Sequence, residues 1–125
     1  MNFKDNKAIY LQIADIIYEN ILSGLWTEES KILSVRELAS NIEVNPNTVM
    51  RTYSELEAQG LIYNKRGVGF YVATGAINKC KESVKAEFVN NYLPDVFGKM
   101  EILNITIDEL IIFYNQFKLN KNEKK

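Results

Sequence analysis

Between residues 8 and 22 apolar side chains fall at Ile9, Tyr10, Leu11, Ile13, Ile16, Ile17, Ile21 and Leu22. That density predicts a helix with a wide buried face, and Gly24 supplies a left-handed stop after it. A polar connector, 27–31, comes next. Ser34 precedes Glu37 by the three residues of a capping box, and Val35, Leu38, Ala39 and Ile42 then recur at helical intervals, predicting a second helix of about two turns. Asn45-Pro46 reads as a third helix start, because asparagine caps well and proline lacks the N–H that the first helical position leaves unbonded. Its inward stripe is Val49, Tyr53 and Leu56, and Gly60 closes it. Only Glu43 and Val44 lie between the second helix and that cap, so the pair is expected to form a helix-turn-helix.

The period then changes. Leu61 to Lys65 and Phe70 to Ala73 are β-prone runs around the turn Arg66-Gly67-Val68-Gly69, which predicts a hairpin, or wing. Beyond Thr74-Gly75-Ala76 a helical pattern returns with Val84, Phe88, Tyr92, Leu93, Val96 and Phe97, and Pro94 is expected to bend or interrupt it. Thr106 to Glu109 is a second capping box, opening a last helix with Leu110, Ile111, Phe113, Tyr114 and Phe117. The Lys/Asn/Glu tail, 120–125, is expected to be disordered. The fold class expected is mainly α with a small β-hairpin: a winged helix-turn-helix over residues 1–75, then a helical region over 76–119.

Composition narrows the function classes. There is no histidine and one cysteine, Cys80, which excludes a disulfide framework, a Cys/His metal site and a histidine-based triad. Cys80 lies between Lys79 and Lys81, so a lowered thiol pKa and a redox role are one reading, and an inert filler is the other. Acids are scattered without a convincing catalytic pair, and Gly67 and Gly69 lie in a hairpin turn rather than in a strand-to-helix phosphate loop, so no enzyme and no cofactor are expected. No stretch reaches the roughly 18 apolar residues of a membrane span, and the start, MNFKDNKAIY, lacks signal-peptide order; a cytoplasmic location is the expectation.

The net charge is −1, with 7 basic and 9 acidic residues before Ala76. DNA binding, if present, must therefore rest on placement rather than on totals. In a helix-turn-helix the second helix enters the major groove and its first residues meet bases and phosphates. Here those are Pro46, Asn47, Thr48 and Arg51, with Asn47 and Arg51 on one face, opposite Val49 and Tyr53. Asparagine suits adenine, arginine suits guanine, and threonine suits a phosphate or a thymine methyl. Taken singly, each residue is explained as a cap or a solvated charge. Tyr53 and Tyr63 are read as core rather than as base-stacking rings.

The combination resembles the DNA-binding domain of the GntR family of bacterial regulators. The blocks Tyr10-Leu11-Gln12-Ile13, Ser34-Val35-Arg36-Glu37-Leu38-Ala39, Val44-Asn45-Pro46-Asn47-Thr48-Val49, Leu56-Glu57 with Gly60-Leu61-Ile62, and Arg66-Gly67-Val68-Gly69 match in order and spacing. The resemblance implies DNA contacts by Ser34, Arg36, Asn45, Pro46, Asn47, Thr48 and Arg51, and by a wing tip of Lys65, Arg66 and Gly67. Two departures stand out: Leu33 replaces a usual proline, and Glu43 a usual glycine in the turn. The short region after the wing is similar to that of the YtrA-like subfamily, whose helical tail dimerises. That implies a dimer surface of Phe88, Tyr92, Val96, Phe97, Leu110, Phe113, Tyr114 and Phe117, and a homodimeric repressor on a near-palindromic double-stranded operator. Two other readings stay open: a sensor with a small-molecule effector at the C-terminal helices, and a winged helix used for protein assembly.

Overall fold

The structure, a computed structural model, describes residues 7–123; the expectations for residues 1–6 and 124–125 lie outside it. The chain divides into two compact units, one ending at Ala86 and the other beginning at Glu87. The elements are α1 (Ile9–Leu22), α2 (Val35–Ile42), α3 (Pro46–Ala58), β1 (Ile62–Lys65), β2 (Gly69–Val72), α4 (Ala76–Glu87), α5 (Leu93–Leu103) and α6 (Ile107–Glu123). The protein is thus mainly helical with one antiparallel hairpin, as the patterning predicts.

In the first unit the helix ends are set locally. The Ser34 hydroxyl accepts from the Glu37 N–H at 3.1 Å, and the Glu37 carboxylate accepts from the Ser34 N–H at 2.9 Å. The bond from the Ser34 N–H and, to a lesser degree, the Ser34 hydroxyl hold the Glu37 carboxyl below its usual value. The Asn45 side chain accepts from the Asn47 N–H at 2.8 Å, with Pro46 at the first helical position. Between these two helices the chain reverses at Glu43, whose φ of 56° and ψ of 50° are left-handed.

α1 buries Ile13, Ala14, Ile17 and Ile21 against the inward stripe of α3, where Val49, Tyr53 and Leu56 are fully enclosed. Thr52 is buried too, and its hydroxyl donates to the carbonyls of Tyr10 (2.9 Å) and Thr48 (3.1 Å), so no polar atom is stranded. Ile62, Phe70 and Val72 close the core from the hairpin, which pairs Ile62 with Val72 and Lys65 with Gly69. Tyr53 meets Phe70 edge to face at 5.0 Å, and its hydroxyl donates to the Leu33 carbonyl at 2.7 Å.

The connector expected to be merely polar takes part in the sheet. Ile32 N–H donates to Phe70 O (2.9 Å), Val72 N–H to Ser30 O (3.0 Å) and Glu29 N–H to Val72 O (2.8 Å), so residues 29–32 cover the outer edge of β2. On the opposite edge, the Asn64 N–H donates to the Glu57 carboxylate at 3.1 Å. Tyr63 is not in the core. It stands on the outer face of the hairpin, stacks on Tyr71 at 5.7 Å and donates to Glu29 at 2.9 Å. An alternating strand buries one face, and Ile62 occupies that face instead.

The unit does not stop at the wing. Glu28 accepts from the N–H groups of Gly75 (3.0 Å) and Ile77 (3.1 Å), capping α4 from a distant loop, and Ala76 and Cys80 are fully buried in the core. Burial pushes the Cys80 thiol up to about 11, so it stays protonated near neutral pH and fills space; the flanking lysines do not activate it.

In the second unit Pro94 acts where expected. A π-helical turn over Phe88–Tyr92 precedes it, and Pro94 then sits in the first turn of α5, where a missing N–H breaks no hydrogen bond. Asn104 (φ 57°) turns the chain, and Thr106 and Glu109 bond reciprocally at 3.1 and 3.2 Å to open α6. α6 continues to Glu123, beyond the Asn120 at which disorder is expected. Lys and Glu are good helix formers, and extending an existing helix is far cheaper than nucleating one.

Two stability tests follow from these contacts. A side chain in the left-handed region costs roughly 1–2 kcal/mol. Glu43→Gly should raise the denaturation free energy by about 0.5–1 kcal/mol after the added freedom of the unfolded glycine is subtracted. A lower midpoint in denaturant would show that the Glu43 side chain makes a contact outweighing the strain. Glu29 is held below its ordinary value of 4.5, first by its bond from Thr74 and then by that from Tyr63. A depressed folded value stabilises above the unfolded value and is lost as pH falls through the folded one. Stability of Glu29→Gln should therefore fall less steeply than wild type as pH drops below 4.5, measured by thermal melts across pH.

Candidate nucleic-acid interface

The first three turns of α3 have one side enclosed by the core and the other open. Asn45, Pro46, Asn47 and Arg51 are exposed, and Thr48 is half-buried at the margin. The Asn45 oxygen is occupied by its own cap bond, whereas no hydrogen bond to the Asn47 side chain occurs among the described residues. Arg51 places its guanidinium carbon 3.7 Å from the centre of the Tyr10 ring, at the start of α1. Ala8, Ile9, Tyr10, Asn47, Thr48 and Arg51 line one shallow hollow.

A second hollow is lined by Lys31 from the connector and Ser34, Arg36 and Glu37 from the start of α2, together with Val68, Gly69 and Phe70 from the wing. Arg36 is exposed and points from the first turn of α2, while Ser34 is half-buried and tied into its capping box. Lys31 is a cation that sequence reasoning left unread. Its side chain lies across Gly69, where a Cβ would come within 2.9 Å of the lysine Cε. The signal available was the alternation Ser30-Lys31-Ile32, which is strand-like and puts Ile32 inward and Lys31 outward.

At the wing, Lys65, Arg66 and Gly67 are all exposed. The Lys65 ammonium rests 4.6 Å from the Tyr71 ring, and Gly67 adopts a φ of 78° that only glycine takes without strain. The structure thus groups the expected residues into three places: the α3 face with Tyr10, the α2 start with Lys31, and the wing tip. Arrayed donors of this kind suit phosphates and base edges. Among the described residues no cluster of histidine, cysteine or acidic side chains could hold a metal ion, and no helix is long and apolar enough to cross a membrane.

The expected dimer residues belong to the second unit. Phe88, Val96, Phe97, Phe113, Tyr114 and Phe117 are exposed, Tyr92 and Leu110 partly so, and Ile102, Leu103, Ile107, Ile111, Ile112 and Leu119 add further exposed apolar surface.

Known proteins share both the sequence and the fold. The family model for bacterial regulatory proteins, gntR family, matches residues 9–72. The HTH-type transcriptional regulator YhcF of Bacillus subtilis (strain 168) is 35% identical over 111 residues, covering 87% of this chain and 88% of its own. The HTH-type transcriptional repressor YtrA of the same organism is 36% identical over 109 residues, covering 87% of this chain and 72% of its own. The crystal structure of a GntR-family transcriptional regulator from Bacteroides thetaiotaomicron is 46% identical, with a TM-score of 0.78 over 90% of this chain and 99% of that one. The matched span begins with α1 and ends with β2, and every cation of the three groups lies within it. The chain belongs to the GntR family and is a DNA-binding transcriptional regulator, not an enzyme.

Proposed function

We propose that the protein is a homodimeric repressor that acts in the cytoplasm on a near-palindromic operator. The observation that carries the reading is the two-sidedness of α3: Val49, Tyr53 and Leu56 are enclosed while Asn47 and Arg51 stand side by side on the open face. Asn47 and Arg51 read base edges, adenine and guanine being their bidentate partners, and Thr48 meets the flank of the groove. Arg36 adds a contact from α2. Ser34, Asn45 and Pro46 frame two helix starts whose positive dipole ends favour phosphate. Lys65, Arg66 and Gly67 follow the backbone at the neighbouring groove. The similarity to YtrA, a named repressor, supports repression.

Dimerisation is supported by the second unit, where aromatic and aliphatic side chains are exposed along α5 and α6 in numbers that a soluble monomer rarely tolerates. A second copy covering them doubles the contact with DNA and fixes the spacing of two half-sites.

In vitro selection from random DNA yields the operator against which variants are measured. Arg36→Ala and Arg51→Ala should each weaken binding to it by about 1–3 kcal/mol, whereas Lys65→Ala with Arg66→Ala should weaken binding to all sequences and lower the salt slope by about 2. Undiminished operator affinity of the two arginine variants would remove them from the interface. For the dimer, Phe113→Asp with Phe117→Asp should give monomers in analytical ultracentrifugation and a loss of at least about tenfold in operator affinity, through loss of the linked half-site. A persistent dimer would exclude this surface.

A further inference from the structure

The Tyr10–Arg51 contact joins the start of α1 to the middle of the recognition helix, and neither residue belongs to the hydrophobic core. Arg51 is exposed, and among the described residues no carboxylate lies within ion-pair distance of it. At 3.7 Å from the ring centre the guanidinium carbon is in van der Waals contact with the face of Tyr10. The two ways of restraining an arginine differ in what they leave over. A carboxylate occupies the N–H edge, whereas a ring beneath the flat face occupies none of the five donors, which all lie in the guanidinium plane.

We infer that Tyr10 is a positioning residue for Arg51, holding the guanidinium so that two coplanar N–H groups stay available to the O6/N7 edge of a guanine. The inference rests on the reading of Arg51 as a base contact. Tyr10 is itself held from α3: the buried Thr52, next to Arg51 in sequence, donates to the Tyr10 carbonyl at 2.9 Å. One helix therefore carries both the arginine and the anchor of the ring that restrains it. Arginine has one of the largest rotamer entropies, and restraining it before binding lessens what is lost when the complex forms. Tyr10 and Arg51 also share a hollow with Asn47 and Thr48, so the restrained guanidinium lies beside the other two readers.

The test is a mutant cycle read by fluorescence anisotropy on the selected operator, on the same operator with 7-deazaguanine in place of the guanine, and on unrelated DNA. Tyr10→Leu keeps bulk and removes the ring face; it should weaken operator binding about fivefold, as a cation–π contact at an exposed arginine allows, and shrink the penalty for 7-deazaguanine. Tyr10→Phe keeps the face and should stay within about twofold. In the Arg51→Ala background, Tyr10→Leu should change little, and binding to unrelated DNA should be unchanged by Tyr10→Leu in either background. Equal losses from Tyr10→Leu with and without Arg51, or a parallel loss on unrelated DNA, would make Tyr10 a purely structural residue and overturn the inference. If Arg51→Ala keeps both affinity and the 7-deazaguanine penalty, the underlying reading of Arg51 is what fails. If Arg51→Ala loses both while Tyr10→Leu keeps both, only the role of Tyr10 fails. Tyr10→Met supplies the same comparison should the leucine variant not fold.

Discussion

The geometry of the winged unit depends on one buried tyrosine. Tyr53 lies on the inner face of α3, packs edge to face on Phe70 of the wing and donates its hydroxyl to the Leu33 carbonyl just before α2. A phenol can make all three links because its body is apolar and its tip is polar. Burial, with a smaller effect of Glu37, raises the pKa of that hydroxyl, so it remains a donor over any ordinary pH. Recognition helix, helix-two start and hairpin are thereby held in one relation, and the three groups of cations inherit it.

What was legible in the sequence is what local chemistry decides. Ser34 with Glu37, Asn45 with Pro46, and Thr106 with Glu109 each fix a helix start within four residues, and all three form as read. Gly67 likewise announces its turn. The contacts that escaped are long-range: the pairing of residues 29–32 with β2, the capping of α4 by Glu28, and the stacking of Arg51 on Tyr10. Each joins segments that no periodicity links. Tyr63 was misread because a four-residue strand offers too short an alternation to say which face is inward. Of the interface, the residue types on α3 were visible, but the presence of Lys31 beside Arg36 and of Tyr10 beneath Arg51 needed the fold.

A nearly neutral chain that binds DNA is less paradoxical once the acids are located. Glu28, Glu29, Glu37 and Glu57 each accept hydrogen bonds from backbone or hydroxyl donors within the winged unit. These carboxylates are fixed parts of the scaffold, whereas Arg36, Arg51, Lys65 and Arg66 project from its surface. Net charge averages over both sets and so hides the asymmetry that a phosphate backbone would meet.

The hairpin has one more property. A two-stranded ribbon ordinarily offers two rows of unpaired backbone groups, each a template for a strand from another molecule. Here one row is bonded to residues 29–32, and on the other the Asn64 N–H is taken by Glu57. An edge so covered resists pairing with a further strand when many copies crowd together, which leaves the wing fewer backbone groups for a neighbouring molecule to bond.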